Sequence, residues 1–430
     1  MIAPSAMTET PRHDSPFAKQ VATFCQQQVT GPRAKRADFA SSPLWAGVQK
    51  TGTALWLDTG DVDAARELWV REFVALTTNN TLLNKEVQKG IYDRLVPAAA
   101  KLVRDADPGA DQARVVQEIA FVLNAVHGLE LVRTFDADVS VELHTAIADD
   151  ADASYHYGKR FHAIEPDRFI VKVPLTPSGL LAARRLHDDG IRVNFTLGFS
   201  ARQNLLIAQL ARPTWCNVFM GRINAFVSDN KLGDGKNAGE KATLASQRGL
   251  RRLQQQGGAT VKQIGASMRN GQQIADLLGL DVFTMPTAAA KEFVQKNPSA
   301  NSLRDRTADD PAVTFAPGAD VAGEHLEVFW TVTPKFEAAA AAAGRLDPKT
   351  ATAKDVLAVL AEHGAGDLFP KFSADEGQRV TKEGKIPVHA SWRDRVRAGT
   401  ASWDGVLTAA ALASFTQDQL ALDARIAKLL

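Results

Sequence analysis

Cysteine is scarce in this chain, with only two among 430 residues. Cys25 and Cys216 are far apart in the sequence, so they provide neither a disulfide framework nor a paired-cysteine zinc site. This usage is typical of a reducing compartment, and we expect a cytoplasmic protein. The nine histidines also suggest no metal, because His144, His156 and His162 lack convincing ligand partners. We therefore expect neither a metal nor another cofactor.

An excess of charge of either sign is also missing, since the formal net charge is +1. This balance gives no electrostatic reason to expect nucleic acid or an anionic membrane as a partner. No uninterrupted apolar run approaches the about 18 residues of a membrane helix. The first 17 residues are polar and contain proline, so we expect them to be disordered and not a signal peptide.

Eight short β-rich runs are present, separated by stretches with helical period. Helices are predicted at 61–71, 92–105, 113–126, 178–189, 200–211 and 271–278. Alternation of this kind predicts an α/β fold, a (β/α)8 TIM barrel with additional helices. An open doubly wound sheet is the alternative, but the first run is not followed by a glycine-rich phosphate loop. The predicted strands are 54–58, 73–78, 138–142, 169–173, 192–197, 215–220, 260–266 and 281–285.

Polar residues stand at or near the carboxyl ends of seven of these eight runs, where a TIM barrel carries its active site. One of them, Lys172, interrupts the apolar run FIVKV. A strand-end lysine can simply pack its stem and extend its ammonium to water. Burial in an enclosed site, however, lowers the pKa of an amine, so that the amine is more readily neutral and can attack a carbonyl carbon. The strand-end residues are Asp58, Asn79, Glu142, Lys172, Asn194, Thr196, Asn217, Ser267 and Arg269.

The segment FIVKVPLTPSGLLAARRLHDDGIRVNFTLGFSARQ resembles the central segment of transaldolases, in which the lysine forms a Schiff base with a ketose. LWLDTGDVDAA, ALTTNNTLL, VSVEL, NVFMGRI and VKQIGASMRN are similar to further motifs of the family, in the same order. The resemblance runs from about residue 56 to 286, and the final stretch GVLTAAALASFTQDQLALDARI is similar to the closing helix of the family. It implies a cofactor-free transaldolase that moves a dihydroxyacetone unit between sugar phosphates, as in the non-oxidative pentose phosphate pathway.

The resemblance also implies roles for individual residues. Lys172 corresponds to the nucleophile and Asp58 to the general acid/base, while Glu142 and Thr196 hold the water that carries protons. The hydroxyls of the intermediate are expected at Asn79 and Asn194, with Asn217 and Phe219 also at the substrate. The phosphate is expected at Arg222, Ser267 and Arg269.

Several positions depart from the usual pattern of the family. Asn80 replaces a proline, Asn217 a serine, and Gly198 a larger apolar residue. Glu142 and Phe219 stand where the related fructose-6-phosphate aldolases have glutamine and tyrosine, which favours transfer over simple cleavage. The alternatives are an aldolase acting on an unusual ketose phosphate and a non-catalytic sugar-phosphate-binding barrel.

The expected organisation is a tail and leading helix at 1–50, a barrel at 51–333, an insertion at 334–402 and a closing helix at 403–430. Within the insertion, helices are predicted at 336–343 and 353–362, followed by a loop at 368–392. Lys371, Lys382, Lys385 and Trp392 in that loop are candidates for a lid or an oligomer contact, and a solvated decoration is the alternative. A homodimer is one possible assembly.

Overall fold

The computed structural model describes residues 10–299 and 302–430 and contains a closed barrel of eight parallel strands. Each strand pairs with the next in the chain, and the last pairs with the first. The TIM barrel is therefore confirmed. The strands are β1 Ala54–Asp58, β2 Phe73–Thr77, β3 Asp138–Glu142, β4 Phe169–Pro174, β5 Val193–Thr196, β6 Trp215–Phe219, β7 Lys262–Ala266 and β8 Val282–Pro286.

Helices surround the barrel and continue beyond it toward the carboxyl terminus. In the described ranges they are α1 Pro16–Gln28, α2 Pro43–Gln49, α3 Val62–Arg66, α4 Asn80–Gln88, α5 Val96–Ala106, α6 Gln112–Phe135, α7 Ala151–Ile164, α8 Pro177–Asp188, α9 Ala201–Leu210, α10 Met220–Asp229, α11 Ala238–Gln255, α12 Gly271–Asp276, α13 Thr287–Lys296, α14 Pro334–Ala343, α15 Ala353–Glu362, α16 Ala374–Glu383, α17 His389–Arg397 and α18 Trp403–Ala427.

The strands form because their residues are buried on both faces, which apolar and β-branched side chains satisfy. β4 is buried along its whole length, Lys172 included. Strand pairing places Glu142 beside Lys172 and Lys172 beside Asn194. Pro174 lies beside Thr196 in the same way. The register thus brings the polar strand-end residues to one end of the barrel.

All eight predicted strands exist, and their ends differ from the prediction by at most two residues. The helix predicted at 61–71 is shorter, because α3 ends at Arg66 and the chain then turns so that the Arg71 N–H donates to the Ala40 carbonyl at 2.8 Å. Part of the segment expected to be disordered is helical: α1 begins at Pro16, where the Ser15 hydroxyl accepts the Ala18 N–H. Residues 1–9 of that segment lie outside the described residues.

The helix predicted at 113–126 extends from Gln112 to Phe135 as α6. By length and composition α6 is apolar enough to cross a membrane, although polar residues interrupt it so that it contains no continuous apolar run of that length. The fold buries 94% of its most apolar stretch, and α6 carries Glu118, which forms a buried ion pair with Arg160 at 2.5 Å. Such burial is typical of a central core helix.

The segment 334–402 packs on the outside of the barrel. Phe336, Val356 and Trp392 are buried in the same continuous core as the barrel residues. The prediction of a loop at 368–392 is wrong, because α16 and the start of α17 lie within this range. The Ser373 and Glu376 side chains form a capping box at the start of α16, a signal that was readable in the sequence.

The helix α18, near the carboxyl terminus of the chain, packs against the loops at the carboxyl ends of the strands. Thr408 donates to the Leu197 carbonyl at 2.9 Å, and Gln419 accepts from the Asn80 amide at 2.5 Å. The buried Asp404 accepts from Arg202 of α9 at 2.8 Å. These contacts hold α18 beside the end of the barrel where the polar residues meet.

Candidate active site

A cavity of about 210 Å³ opens at the carboxyl ends of the strands. Nine of the eleven residues predicted for the site line it. The predicted members are Asp58, Asn79, Lys172, Asn194, Asn217, Phe219, Arg222, Ser267 and Arg269, and the others are Thr77, Thr81, Leu82, Ala266, Thr284, Pro286, Lys385 and Phe415. The other two predicted residues, Glu142 and Thr196, lie directly behind the lining. Glu142 contacts Lys172, and Thr196 contacts Asn217.

The amine of Lys172 is enclosed and does not extend to bulk water, since the residue is only 4% exposed. Its Nζ donates to the Thr78 carbonyl at 3.1 Å and lies 3.5 Å from Glu142 Oε2. The ring of Phe415 lies 5.8 Å away. A lysine that merely extends its ammonium to solvent is therefore the wrong description. This amine faces a cavity and has a carboxylate within reach.

Burial raises the pKa of both carboxyls near this amine, Asp58 and Glu142. The charge of Lys172 opposes the rise in each case. Thr77 donates to Asp58 Oδ1 at 2.9 Å, and the Asn80 N–H donates to Glu142 Oε2 at 3.2 Å. Carboxyls with raised pKa values exchange protons closer to neutral pH, which suits acid/base work.

Two buried amides present unpaired oxygens at the cavity. Asn194 donates to the Ser140 hydroxyl at 3.0 Å, and Asn217 donates to the Thr196 hydroxyl at 3.1 Å. Neither Oδ1 has a hydrogen-bond partner among the described residues. Leaving a buried acceptor unpaired is costly, so these oxygens suit the hydroxyl groups of a ligand. Asn79 differs, because its Oδ1 caps α4 by accepting the Leu82 N–H at 2.8 Å.

The other side of the cavity is cationic. Arg222 is 5% exposed, and its guanidinium lies 5.5 Å from the rings of both Phe219 and Phe415. Its Nη1 has no partner in the described chain. Burial, together with the neighbouring charge of Arg269, lowers the pKa of Arg222 to about 10. An enclosed cation that forms no ion pair with the described carboxylates is suited to an anionic ligand.

Close approach of two loops creates this cationic side. Ser267 has a φ of 63°, in the left-handed region, and its carbonyl turns toward Gly221. A Cβ at Gly221 would lie 2.1 Å from that carbonyl and 2.7 Å from Arg269 Nε. Only glycine therefore allows the start of α10, which carries Arg222, to lie against the Ser267–Arg269 turn. Ser267, Arg222 and Arg269 come together as the sequence predicted.

Gly198 has a structural explanation for its departure from the family pattern. A Cβ at this position would lie 2.5 Å from the Asn217 carbonyl, which is backbone and cannot move aside cheaply. The Phe219 N–H donates to the Gly198 carbonyl at 3.0 Å across the same contact. A larger residue would therefore separate the ends of β5 and β6.

Sequence reasoning missed several residues that line the cavity, and three of them contact or approach the reactive groups. Thr77 and Thr284 share a hydrogen bond of 2.6 Å beneath Asp58, and Phe415 reaches the cavity from α18. A threonine at a strand end was visible in the sequence, but nothing in it pointed Phe415 at Lys172. Trp392 is not a lid residue, because it is fully buried and donates to Glu383 at 2.8 Å. In the described ranges, no cluster of three metal-binding side chains occurs.

Comparison with known proteins gives the same picture as the geometry. Residues 55–322 match the family model described as transaldolase/fructose-6-phosphate aldolase. The chain is 33% identical over 244 residues to a probable transaldolase of Thermus thermophilus, covering 56% of this chain and 90% of that protein. It is 29% identical over 265 residues to a transaldolase of Xanthomonas campestris pv. campestris, covering 60% and 80% respectively. A transaldolase of Prochlorococcus marinus is 29% identical over 240 residues, covering 54% and 71%.

Proposed function

This chain belongs to the transaldolase/fructose-6-phosphate aldolase family, and we propose that it is a transaldolase. In this proposal it transfers a dihydroxyacetone unit from a ketose phosphate, such as sedoheptulose 7-phosphate or fructose 6-phosphate, to an aldose phosphate. The observation that carries the proposal is the enclosed amine of Lys172, with Glu142 at 3.5 Å and an unpaired cationic side in the same cavity.

The first chemical step is attack of the neutral Lys172 amine on the ketone carbon, which forms a carbinolamine. Loss of water then gives the Schiff base, and this step needs a proton delivered to the departing hydroxyl. Glu142 is placed to help, because burial raises its pKa and its Oε2 faces Nζ. A water held between Glu142 and Thr196 would carry the protons between the carboxyl and the reacting atoms.

Carbon–carbon cleavage follows when Asp58 removes the proton from the hydroxyl that becomes the aldehyde. The electron pair of the broken bond passes into the imine and leaves an enamine on Lys172. The enamine carbon then attacks the acceptor aldehyde while Asp58 returns the proton, and hydrolysis of the new imine frees the amine. The unpaired oxygens of Asn194 and Asn217 are suited to accept hydrogen bonds from hydroxyls of the bound intermediate.

The cationic side provides the site for the phosphate in this mechanism. Arg222, Ser267 and Arg269 combine charge and hydrogen-bond donors that match a phosphate dianion. Binding this remote group positions the ketone against Lys172, so that binding energy is used for orientation. We infer cytoplasmic action without a cofactor, consistent with two buried, unpaired cysteines in the described chain.

The test is to trap the Schiff base. Borohydride added with fructose 6-phosphate should reduce the imine to a stable amine, and peptide mapping should place the added mass on Lys172. Lys172→Ala should lose trapping and turnover. Lys262→Ala is the matched control, because this exposed lysine begins β7 at the opposite end of the barrel. Trapping that persists in Lys172→Ala would refute the mechanism.

A second variant separates imine formation from cleavage. Asp58→Ala should still form the Schiff base but stop before the bond breaks, so that borohydride fixes the whole ketose to the chain. Transfer is distinguished from simple aldol cleavage by assaying fructose 6-phosphate with and without erythrose 4-phosphate. Turnover that does not depend on the acceptor would favour an aldolase instead.

A further inference from the structure

Lys385 lines the same cavity as Lys172, Arg222 and Arg269. It belongs to the segment 334–402, whereas the match to the family model ends at residue 322. This lysine therefore lines the cavity although it belongs to a segment outside the match to the family model. Among the charged residues that α16, α17 and their connection contribute, Lys385 is the one that lines the cavity.

The backbone around Lys385 is fixed to the barrel on one side and to the additional segment on the other. Asn230, which ends α10, donates to the Pro387 carbonyl at 3.0 Å and accepts the His389 N–H at 2.8 Å. The Glu383 carboxylate accepts the Val388 N–H at 3.0 Å. Because α10 also carries Arg222 in its first turn, the Lys385 turn and Arg222 are attached to the same helix.

Gly384 directs the chain into this turn. It ends α16 with φ 75° and ψ −138°, a conformation that is costly for any residue with a Cβ. The next residue, Lys385, leaves the helix axis and extends to the cavity, while Lys382 stays in the last turn of α16, away from the cavity lining. The position of Lys385 thus follows from the backbone path and from its hydrogen bonds.

Arg222, Arg269 and Lys385 line this cavity together with Lys172, whereas Asp58 is the one carboxyl among the described lining residues. No carboxylate of the described residues forms an ion pair with Arg222, Arg269 or Lys385, and Arg222 Nη1 is buried without a hydrogen-bond partner. Gathering like charges is unfavourable unless a bound anion compensates. We propose that Lys385 is a third cation at the phosphate site, beside Arg222 and Arg269, which strengthens the preference of this enzyme for phosphorylated over unphosphorylated sugars; this rests on the proposed function.

The chemistry of lysine defines what this residue adds. An ammonium on a flexible stem contributes a point charge that can follow a phosphate oxygen from the solvent side, whereas Arg222 is enclosed and fixed. Because Arg222 and Arg269 still orient the phosphate without Lys385, the contact of Lys385 should stabilise the bound substrate and the transition state about equally. Its loss should therefore raise KM and leave kcat almost unchanged.

The experiment compares Lys385→Ala with Lys382→Ala, an exposed lysine three residues earlier that does not line the cavity. Lys385→Ala should raise KM for fructose 6-phosphate about two- to fivefold and weaken the binding of inorganic phosphate by a similar factor. Its turnover of unphosphorylated fructose should match the unmodified enzyme. Lys385→Arg should restore most of the phosphate binding, and Lys382→Ala should behave like the unmodified enzyme.

Two results would overturn the proposal. One is equal losses on phosphorylated and unphosphorylated fructose, which would make Lys385 a structural residue. The other is Lys385→Ala behaving like Lys382→Ala in calorimetric titration with inorganic phosphate. That titration needs no turnover, so it tests the phosphate site separately from the transaldolase mechanism. Phosphate binding that depends on Lys385, without borohydride trapping on Lys172, would support the role of Lys385 and reject the transaldolase mechanism.

Discussion

Replacing Arg222 by methionine should make the unliganded protein more stable while it removes the preference for phosphorylated substrates. Methionine keeps an unbranched apolar stem against Phe219 and Phe415 but removes the enclosed charge. The fall in the pKa of Arg222 from its ordinary 12.5 to about 10 corresponds to a folding cost on the order of 3 kcal/mol. At neutral pH the side chain is charged in both states, so the folded state bears this full cost.

The contact with the two rings offsets part of the cost, by about 0.5–2 kcal/mol. We therefore expect Arg222→Met to raise the free energy of unfolding by about 1–3 kcal/mol, measured by urea denaturation at pH 7 without phosphate. Activity should change in the opposite direction. Two charge-assisted hydrogen bonds to phosphate at about 1.5–3 kcal/mol each correspond to a loss of about 100- to 20,000-fold in kcat/KM for fructose 6-phosphate.

Inorganic phosphate gives an internal control for this prediction. It should stabilise the unmodified protein, because it binds the folded state alone, and it should have little effect on Arg222→Met. A variant that is less stable than the unmodified protein without phosphate would refute the reasoning. Arg222 would then be a packing residue whose ring contacts outweigh its desolvation.

Two further predictions concern the pKa of Asp58 and the packing between the ends of β5 and β6. Thr77→Val removes the hydroxyl that donates to Asp58, so the pKa of Asp58, already raised by burial, should rise further. Since Asp58 must be ionised to act as a base, the acid limb of the kcat/KM profile should move to higher pH, and an unmoved limb would contradict this role. Gly198→Ala places a Cβ 2.5 Å from the Asn217 carbonyl and should lower the free energy of unfolding by about 1–3 kcal/mol in urea denaturation. Gly249→Ala is its control, because no atom lies within 4 Å of the added Cβ in α11, and equal stability of the two variants would argue against the clash.

Residues of the cavity could be predicted from the sequence where their immediate neighbours along the chain indicated their position. Cavity residues that belong to a strand, such as Asp58, Lys172 and Asn217, were identifiable because the motif that contains each of them also contains the strand. The capping box of Ser373 and Glu376 was local too, yet the polar composition of that stretch led to the prediction of a loop. Lys385 and Phe415 carried no local signal for the cavity, since neither stands near a strand of the barrel.

The sequence by itself determined the eight strands and their order, because strands buried on both faces require continuous apolar runs and so mark themselves in the composition. It also determined which polar residues stand at the strand ends. Only the tertiary structure decided what surrounds these residues. It determined the register that pairs Glu142 with Lys172, the lack of a hydrogen-bond partner at Arg222 Nη1, and the positions of Phe415 of α18 and Lys385 of the α16–α17 connection at the cavity. These depend on how distant segments dock on the barrel, and docking follows from shape and hydrogen bonds between surfaces that are far apart along the chain.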